Sequence, residues 1–318
     1  IAITYKPIIN MIVFIISMML FFINSSISSS DFISKHKFCQ YIFEILFDFF
    51  LLDVLILRKG GKEMEMIKET AKVVRQQQID EGIFDMELSF PKGAALAKPG
   101  QFIAMYCNDK SKLLPRPISI CGINKEEGTL RVVYRVAGEG TKEFSEMKEG
   151  DTLEVMGPLG NGFALKEEKA IIIGGGIGIP PMLELAKQLN VEKTVVLGYR
   201  TSTFLKDEFE AVCDVKVATE DGSQGAKGTV IDAIEKYGVE GKVIYACGPM
   251  PMLKALAVYA EEHGMEAQIS LEERMACGIG ACLGCICKTK EKDHHTNVNN
   301  TRICKDGPVF DAKEVVFA

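Results

Sequence analysis

The chain has 318 residues, room for two or three domains, and its 37 basic and 43 acidic side chains leave a formal charge of −6. That balance offers no basic face for phosphates, which argues against a nucleic-acid partner. Apolar residues at 47 % and charged residues at 25 % suit a folded protein, yet residues 1–60 hold nine of the 18 Phe and only one of the 29 Gly.

This first stretch needs its own account. Ile8–Ile23 is almost wholly apolar, and it lies between Lys6 and the serines of 25–30. Taken literally, that arrangement resembles a signal peptide or a short anchor, although a spanning helix needs about 20 apolar residues. The second apolar run, 43–57, carries Glu44, Asp48 and Asp53, which are costly in a bilayer. The Ile, Phe, Asn and Lys bias is that of AT-rich codons, and Lys59-Gly60-Gly61 can be encoded by a purine-rich run of ribosome-binding type. We therefore expect residues 1–63 to be translated upstream sequence, with the functional chain starting at Met64 or Met66 and no membrane contact.

Residues 64–163 alternate short strand-like runs with Gly, Pro and charged turns. Strands are expected at 70–78, 83–90, 102–107, 117–121, 130–136 and 152–156, with a helix at 141–147. Six such strands predict a small antiparallel β-barrel.

From 164 to 270 the pattern changes. Ala170–Ile173 reads as a buried strand, then Gly174, Gly175, Gly176 and Gly178 form a turn, and a helix is expected over 181–189. A glycine turn between strand and helix lets a backbone approach a pyrophosphate at a helix N-terminus. Ile179 stands where G-x-G-x-x-G needs its third glycine, so the motif alone also fits any tight turn. Strands at 194–199, 215–219, 243–247 and 267–271 alternate with helices at 205–212, 230–237 and 250–262, which predicts a doubly wound parallel sheet. Its ligands belong at the carboxyl ends of the strands, where Gly174–Gly178, Arg200, Glu220 and Cys247-Gly248-Pro249 fall.

Five of the ten Cys lie in the last 42 residues. Cys277-x4-Cys282-x2-Cys285 followed by Cys304 has the spacing of a plant-type 2Fe–2S cluster. Gly278, Gly280 and Gly284 would let the loop wrap the cluster and aim N–H groups at the sulfurs. Zinc sites usually pair two C-x2-C units, and only one is present; a disulfide pair is the other alternative. Cys287 is a spare. His294 and His295 lie in a polar stretch and are assigned no role.

Barrel followed by doubly wound sheet is the order of the ferredoxin–NADP reductase-like family. Arg116-Pro117-Ile118-Ser119 resembles that family's flavin motif. Val133-Tyr134-Arg135-Val136 and Gly140-Thr141 resemble the second strand and the helix start that hold FAD, and Gly157–Gly162 resembles the turn before the nucleotide domain. Cys247-Gly248-Pro249 resembles the family's segment near the nicotinamide. With the cluster segment 271–318 added, residues from about 66 onward resemble the electron-transfer subunits of class B dihydroorotate dehydrogenases. The resemblance implies FAD, a 2Fe–2S cluster and NAD as cofactors. It also implies a cytoplasmic heterotetramer with an FMN-containing catalytic subunit, and a cluster loop near that partner. Electron passage needs no side-chain acid or base, so no catalytic residue is expected. Arg200 and Lys206 keep NADP open. The alternatives are a related subunit serving a hydrogenase or a ferredoxin–NADP reductase type of partner, or a non-enzymatic redox sensor.

Overall fold

The computed structural model describes residues 66–292 and 297–317. The expectations for residues 1–63, for the start at Met64 and for His294 and His295 lie outside the described residues. Among the described residues no helix is long and apolar enough to cross a membrane.

Six strands close an antiparallel barrel: β1 (Ile67–Asp80), β2 (Ile83–Ser89), β3 (Phe102–Met105), β4 (Arg116–Asn124), β5 (Thr129–Arg135) and β6 (Thr152–Leu159), in the order β1-β2-β5-β4-β3-β6. Closure leaves no exposed sheet edge. The interior is filled by alternate residues, among them Val73, Met86, Leu88, Ile103, Ile120, Leu130, Val132 and Val155, all fully buried. Helix α1 (Pro91–Leu96) follows β2, and α2 (Glu139–Ser145) follows β5. All six expected strands are present; α1 was not expected.

The second layer system is a seven-stranded sheet. Its parallel strands are β7 (Ala170–Gly175), β8 (Lys193–Tyr199), β9 (Asp214–Thr219), β10 (Ala226–Lys227), β11 (Val243–Cys247) and β12 (Glu266–Ser270). The order β10-β9-β8-β7-β11-β12 reverses direction at β7/β11, the switch point where such sheets take ligands. Helices α3 (Pro180–Gln188) and α4 (Lys206–Glu210) cover one face; α5 (Val230–Tyr237) and α6 (Met250–Glu262) cover the other. The period of two in the strands assigns the faces: Ile172, Val195 and Tyr245 pack with α3, whereas Ile171, Ile173 and Ile244 pack with α5 and α6.

The cysteine segment forms a two-stranded ladder, β13 (Ile286–Lys288) with β14 (Asn300–Arg302). It then returns as β15 (Val309–Asp311), antiparallel to β12 at the edge of the large sheet. A boundary at residue 271 therefore divides a continuous sheet, and the parallel sheet gains one antiparallel strand from the last segment. Asn161 clamps the same segment to the barrel, donating from its side-chain amide to the carbonyls of Lys305 and Asp306 at 3.2 and 2.8 Å.

Candidate functional site

The first part of the site lies where β4 and β5 diverge. Their ladder ends at Ile120 and Val132, and the first half of β4, Arg116–Ser119, pairs with β3 instead. The guanidinium of Arg116 lies directly over Gly140 in α2, where any Cβ would overlap its Nε. Arg116 donates to the carbonyl of Leu114. Arg116–Ser119 and the Gly138–Thr141 turn are thus assembled on one side, and the missing side chain at Gly140 keeps a cationic fork beside a helix start. That chemistry fits an anionic pyrophosphate.

Individual residues of the expected flavin set divide by role. Pro117, Ile118 and Ser119 are half-exposed on β4, and Arg135 is exposed at the end of β5. The Thr141 hydroxyl is already used: it accepts from the Ala137 and Gly138 N–H groups at 2.9 and 3.2 Å and shapes the turn itself. Tyr134 departs from expectation. Its ring is in the barrel core, stacked on Phe84, and its hydroxyl donates to Gln76 at 3.1 Å, so it has only backbone to offer a ligand. Strand alternation explains this, since Val132 and Tyr134 point inward while the buried Val133 packs toward the α/β layers.

The second part is the switch point. After β7, Gly176–Gly178 makes a single 3-10 turn, and Pro180 and Pro181 open α3. A Cβ on Gly178 would lie 2.5 Å from the carbonyl of Cys247, and one on Gly175 would lie 2.5 Å from the Met252 sulfur. Bare backbone at these positions lets the turn after β7 meet the Cys247-Gly248-Pro249 turn after β11. Gly248 has φ +159 and Gly176 has φ +53. The Cys247 thiol is buried, and its burial pushes its pKa up to about 12. It is therefore a neutral packing group facing Ser270, not a nucleophile. Arg200 and Glu220 face each other at 3.8 Å across the ends of β8 and β9, both exposed.

The third part is the cysteine loop. Cys277, Cys285 and Cys304 are buried and Cys282 is exposed. Their sulfurs form a chain of neighbours, Cys282 to Cys277 to Cys304 to Cys285. Among the described residues no three ligand-type side chains converge on the centre of one ion. Backbone N–H groups crowd onto the sulfurs. Cys277 receives those of Ile279, Ala281 and Cys282 at 3.5, 3.3 and 3.4 Å, and Cys304 receives that of Gly280 at 3.1 Å. Gly284 and Cys304 donate to Cys282 and Cys285, each at 3.4 Å. The Cys304 thiol, against the effect of burial, draws the Cys277 pKa well down, with help from the Ile279 and Cys282 N–H groups, while Cys304 is raised in return. Six backbone N–H groups spread over four neighbouring sulfurs fit a bound iron–sulfur cluster, whose sulfurs carry negative charge. Gly278 and Gly280 supply the turns, at φ +70 and +81. Cys287 receives none of these N–H groups; it sits on β13, its thiol pushed up to about 11 by burial.

Residues 272–316 match the model of the iron–sulfur cluster binding domain of dihydroorotate dehydrogenase B, and residues 70–163 match that of the oxidoreductase FAD-binding domain. The "dihydroorotate dehydrogenase B (NAD(+)), electron transfer subunit" of Caldanaerobacter subterraneus subsp. tengcongensis is 45 % identical over 252 residues, 79 % of this chain and 99 % of that protein. The chain belongs to this family. The electron transfer subunit of Streptococcus mutans is 43 % identical, with 79 % of this chain and 99 % of that protein aligned. Among solved structures, one described as the NADH-dependent reduced ferredoxin–NADP oxidoreductase is similar at 32 % identity and a TM-score of 0.70, covering 81 % of this chain and 92 % of that one. A ferredoxin reductase of carbazole 1,9a-dioxygenase, at 21 % identity and TM-score 0.54 over 64 % of this chain and 68 % of that one, shares the fold. This barrel, switch-point sheet and cysteine loop are thus the architecture of an electron-transfer subunit. A cavity of about 280 Å³ lies between α6 and the last residues, lined by Lys254, Val258, Lys290 and Val316; none of the expected site residues lines it.

Sequence reasoning missed three residues that tie the parts together. Glu184 on α3, buried, accepts from the Ile123 N–H of β4 at 3.0 Å, and Arg131 on β5 reaches Glu208 on α4. Partners 61 and 77 positions apart leave no local pattern in the chain.

Proposed function

We propose that this chain is the electron-transfer subunit of an NAD-dependent dihydroorotate dehydrogenase, an oxidoreductase subunit of pyrimidine biosynthesis. It works beside a separate FMN-containing catalytic subunit that oxidises dihydroorotate. The observation that carries the reading is the convergence of six backbone N–H groups on the sulfurs of Cys277, Cys282, Cys285 and Cys304. FAD exchanges one or two electrons and a 2Fe–2S cluster exchanges one, so together they match single-electron flow to the hydride that NAD(+) accepts.

Arg116 and the Gly138–Thr141 turn would hold the FAD pyrophosphate, with Ser119 and the backbone of Val133–Val136 beside the ring. Gly174–Gly178 and Gly248 would admit the dinucleotide at the switch point. Gln101 donates to the Gly160 carbonyl at 2.7 Å and holds the turn on which Asn161 anchors the cysteine segment. Leu159 and Met156 of β6 back the loop at Gly278. These residues bind, orient and exclude water. The compartment proposed is the cytoplasm, where thiols that must ligate a cluster stay reduced.

Affinity capture of the full chain from native extract tests the reading. Co-purification of an FMN protein that oxidises dihydroorotate supports it. Capture of a hydrogenase or a ferredoxin-linked partner instead would favour the related reading suggested by the NADH-dependent ferredoxin–NADP oxidoreductase neighbour.

A further inference from the structure

The barrel and the α/β layers meet across two kinds of contact. Ile83, Cys121 and Val133 of the barrel pack with Ile179, Met182 and Leu183 in one apolar cluster. Such burial sets how closely the layers approach but is non-directional, so it leaves their relative rotation open. Arg131 supplies direction. Its Nε and Nη2 donate to the two oxygens of Asp85 at 2.8 and 3.0 Å, and its Nη1 and Nη2 donate to the two oxygens of Glu208 at 2.5 and 2.8 Å.

The two halves of this bridge differ. Asp85 has 1 % of its side chain exposed and also accepts from Arg75 at 2.9 Å, so the barrel half is fixed. Glu208 is 40 % exposed on a five-residue helix, so the α/β half is the one that can let go. Gly122, where β4 bulges between Ile120 and Gly122, leaves room for the aliphatic stem of Arg131; a Cβ there would lie 3.2 Å from the Cβ of Arg131. Strands β4 and β5 carry Arg116–Ser119 and Val133–Val136 toward one end and are latched to α4 and α3 toward the other.

We propose that Arg131 and Glu208 are positioning residues for hydride transfer: their bidentate pair fixes the angle at which the α/β layers present the nicotinamide to the flavin. The inference rests on the functional reading above. Neither residue is among those proposed above to hold a cofactor. The pair acts by holding the β7/β11 switch point over the strands that carry Arg116, and bidentate Arg–carboxylate geometry is what makes it selective for one angle.

Glu208→Ala and Glu208→Gln in the FAD- and cluster-loaded chain test the proposal by three readouts. Flavin reduction by saturating NADH is followed by stopped flow, the long-wavelength charge-transfer absorbance of the reduced protein with NAD(+) is recorded, and hydrogen exchange is measured over residues 203–212. The expected result is about a tenfold slower reduction in Glu208→Ala and a smaller loss in Glu208→Gln. Charge-transfer absorbance should weaken and exchange in α4 should rise, with FAD and cluster content unchanged. A rate within twofold of wild type together with an unchanged charge-transfer band overturns the latch, as does loss of FAD in step with the rate. If the wild-type chain is itself not reduced by NADH, the functional reading falls and the latch with it.

Discussion

Gly140→Ala separates flavin binding from folding. The residue lies in the first turn of α2 with backbone angles any residue can adopt, so alanine should leave the helix as stable or add up to about 1 kcal/mol. The new methyl, however, would occupy the place of the Arg116 guanidinium. The atoms displaced are the far end of a flexible side chain, so the barrel loses nothing by moving them. What is lost is the fork proposed to hold the pyrophosphate. Hydrogen bonds to a charged group contribute about 1.5–3 kcal/mol, so FAD affinity should fall by about 10- to 150-fold. Fluorescence titration of the flavin-depleted protein with FAD gives the affinity, and thermal unfolding without FAD gives the stability. An affinity within twofold of wild type would refute the assignment of Arg116; a collapse in stability would show that Gly140 serves packing instead.

Three further outcomes follow from the same geometry. Cys304→Ser should abolish the cluster's visible and electron-paramagnetic signals while leaving FAD in place, and retained cluster signals would remove Cys304 from the ligand set. Gly178→Ala drives a methyl into the Cys247 carbonyl and should force the two switch-point turns apart, so NADH-dependent flavin reduction should drop at least tenfold while photochemical reduction stays normal. Acidification should release the loop before Arg116. Burial opposes ionisation of Glu143, but the Lys112 ammonium and the Asp109 and Asn108 N–H groups outweigh it and hold the carboxyl below its ordinary value. A depressed folded pKa stabilises above the unfolded value, about 4.3, and that contribution is lost as pH falls through the folded value. Protection of the Asn108 and Asp109 amides, corrected for the intrinsic exchange rate, should therefore fall as the pH drops below that unfolded value in wild type, and Glu143→Gln should show no such step.

The barrel and the doubly wound sheet were legible in the chain because their strands carry a period of two and their turns carry Gly and Pro. The cysteine loop was legible because its spacing answers to the size of one cluster. Three features escaped for physical reasons. Strands β13, β14 and β15 are three residues each, too short for any periodicity, so the return of Val309–Asp311 to the large sheet had no signature. Tyr134 sits between residues that face outward, and its neighbours matched a motif, yet the inward phase of β5 places its ring in the core. The Arg131 bridge joins three separate elements, and only folding brings its charges together.

The central claim is that one chain links a one-electron partner to a hydride acceptor. A visible-absorbance titration of the FAD- and cluster-loaded chain, with and without the dihydroorotate-oxidising FMN subunit, tests it most directly. The account predicts that NADH alone bleaches both the flavin and the cluster bands. It also predicts that dihydroorotate bleaches them only when the partner is present, and that NAD(+) restores them. If NADH leaves both bands unchanged, or if dihydroorotate with the partner leaves them oxidised, the account is contradicted.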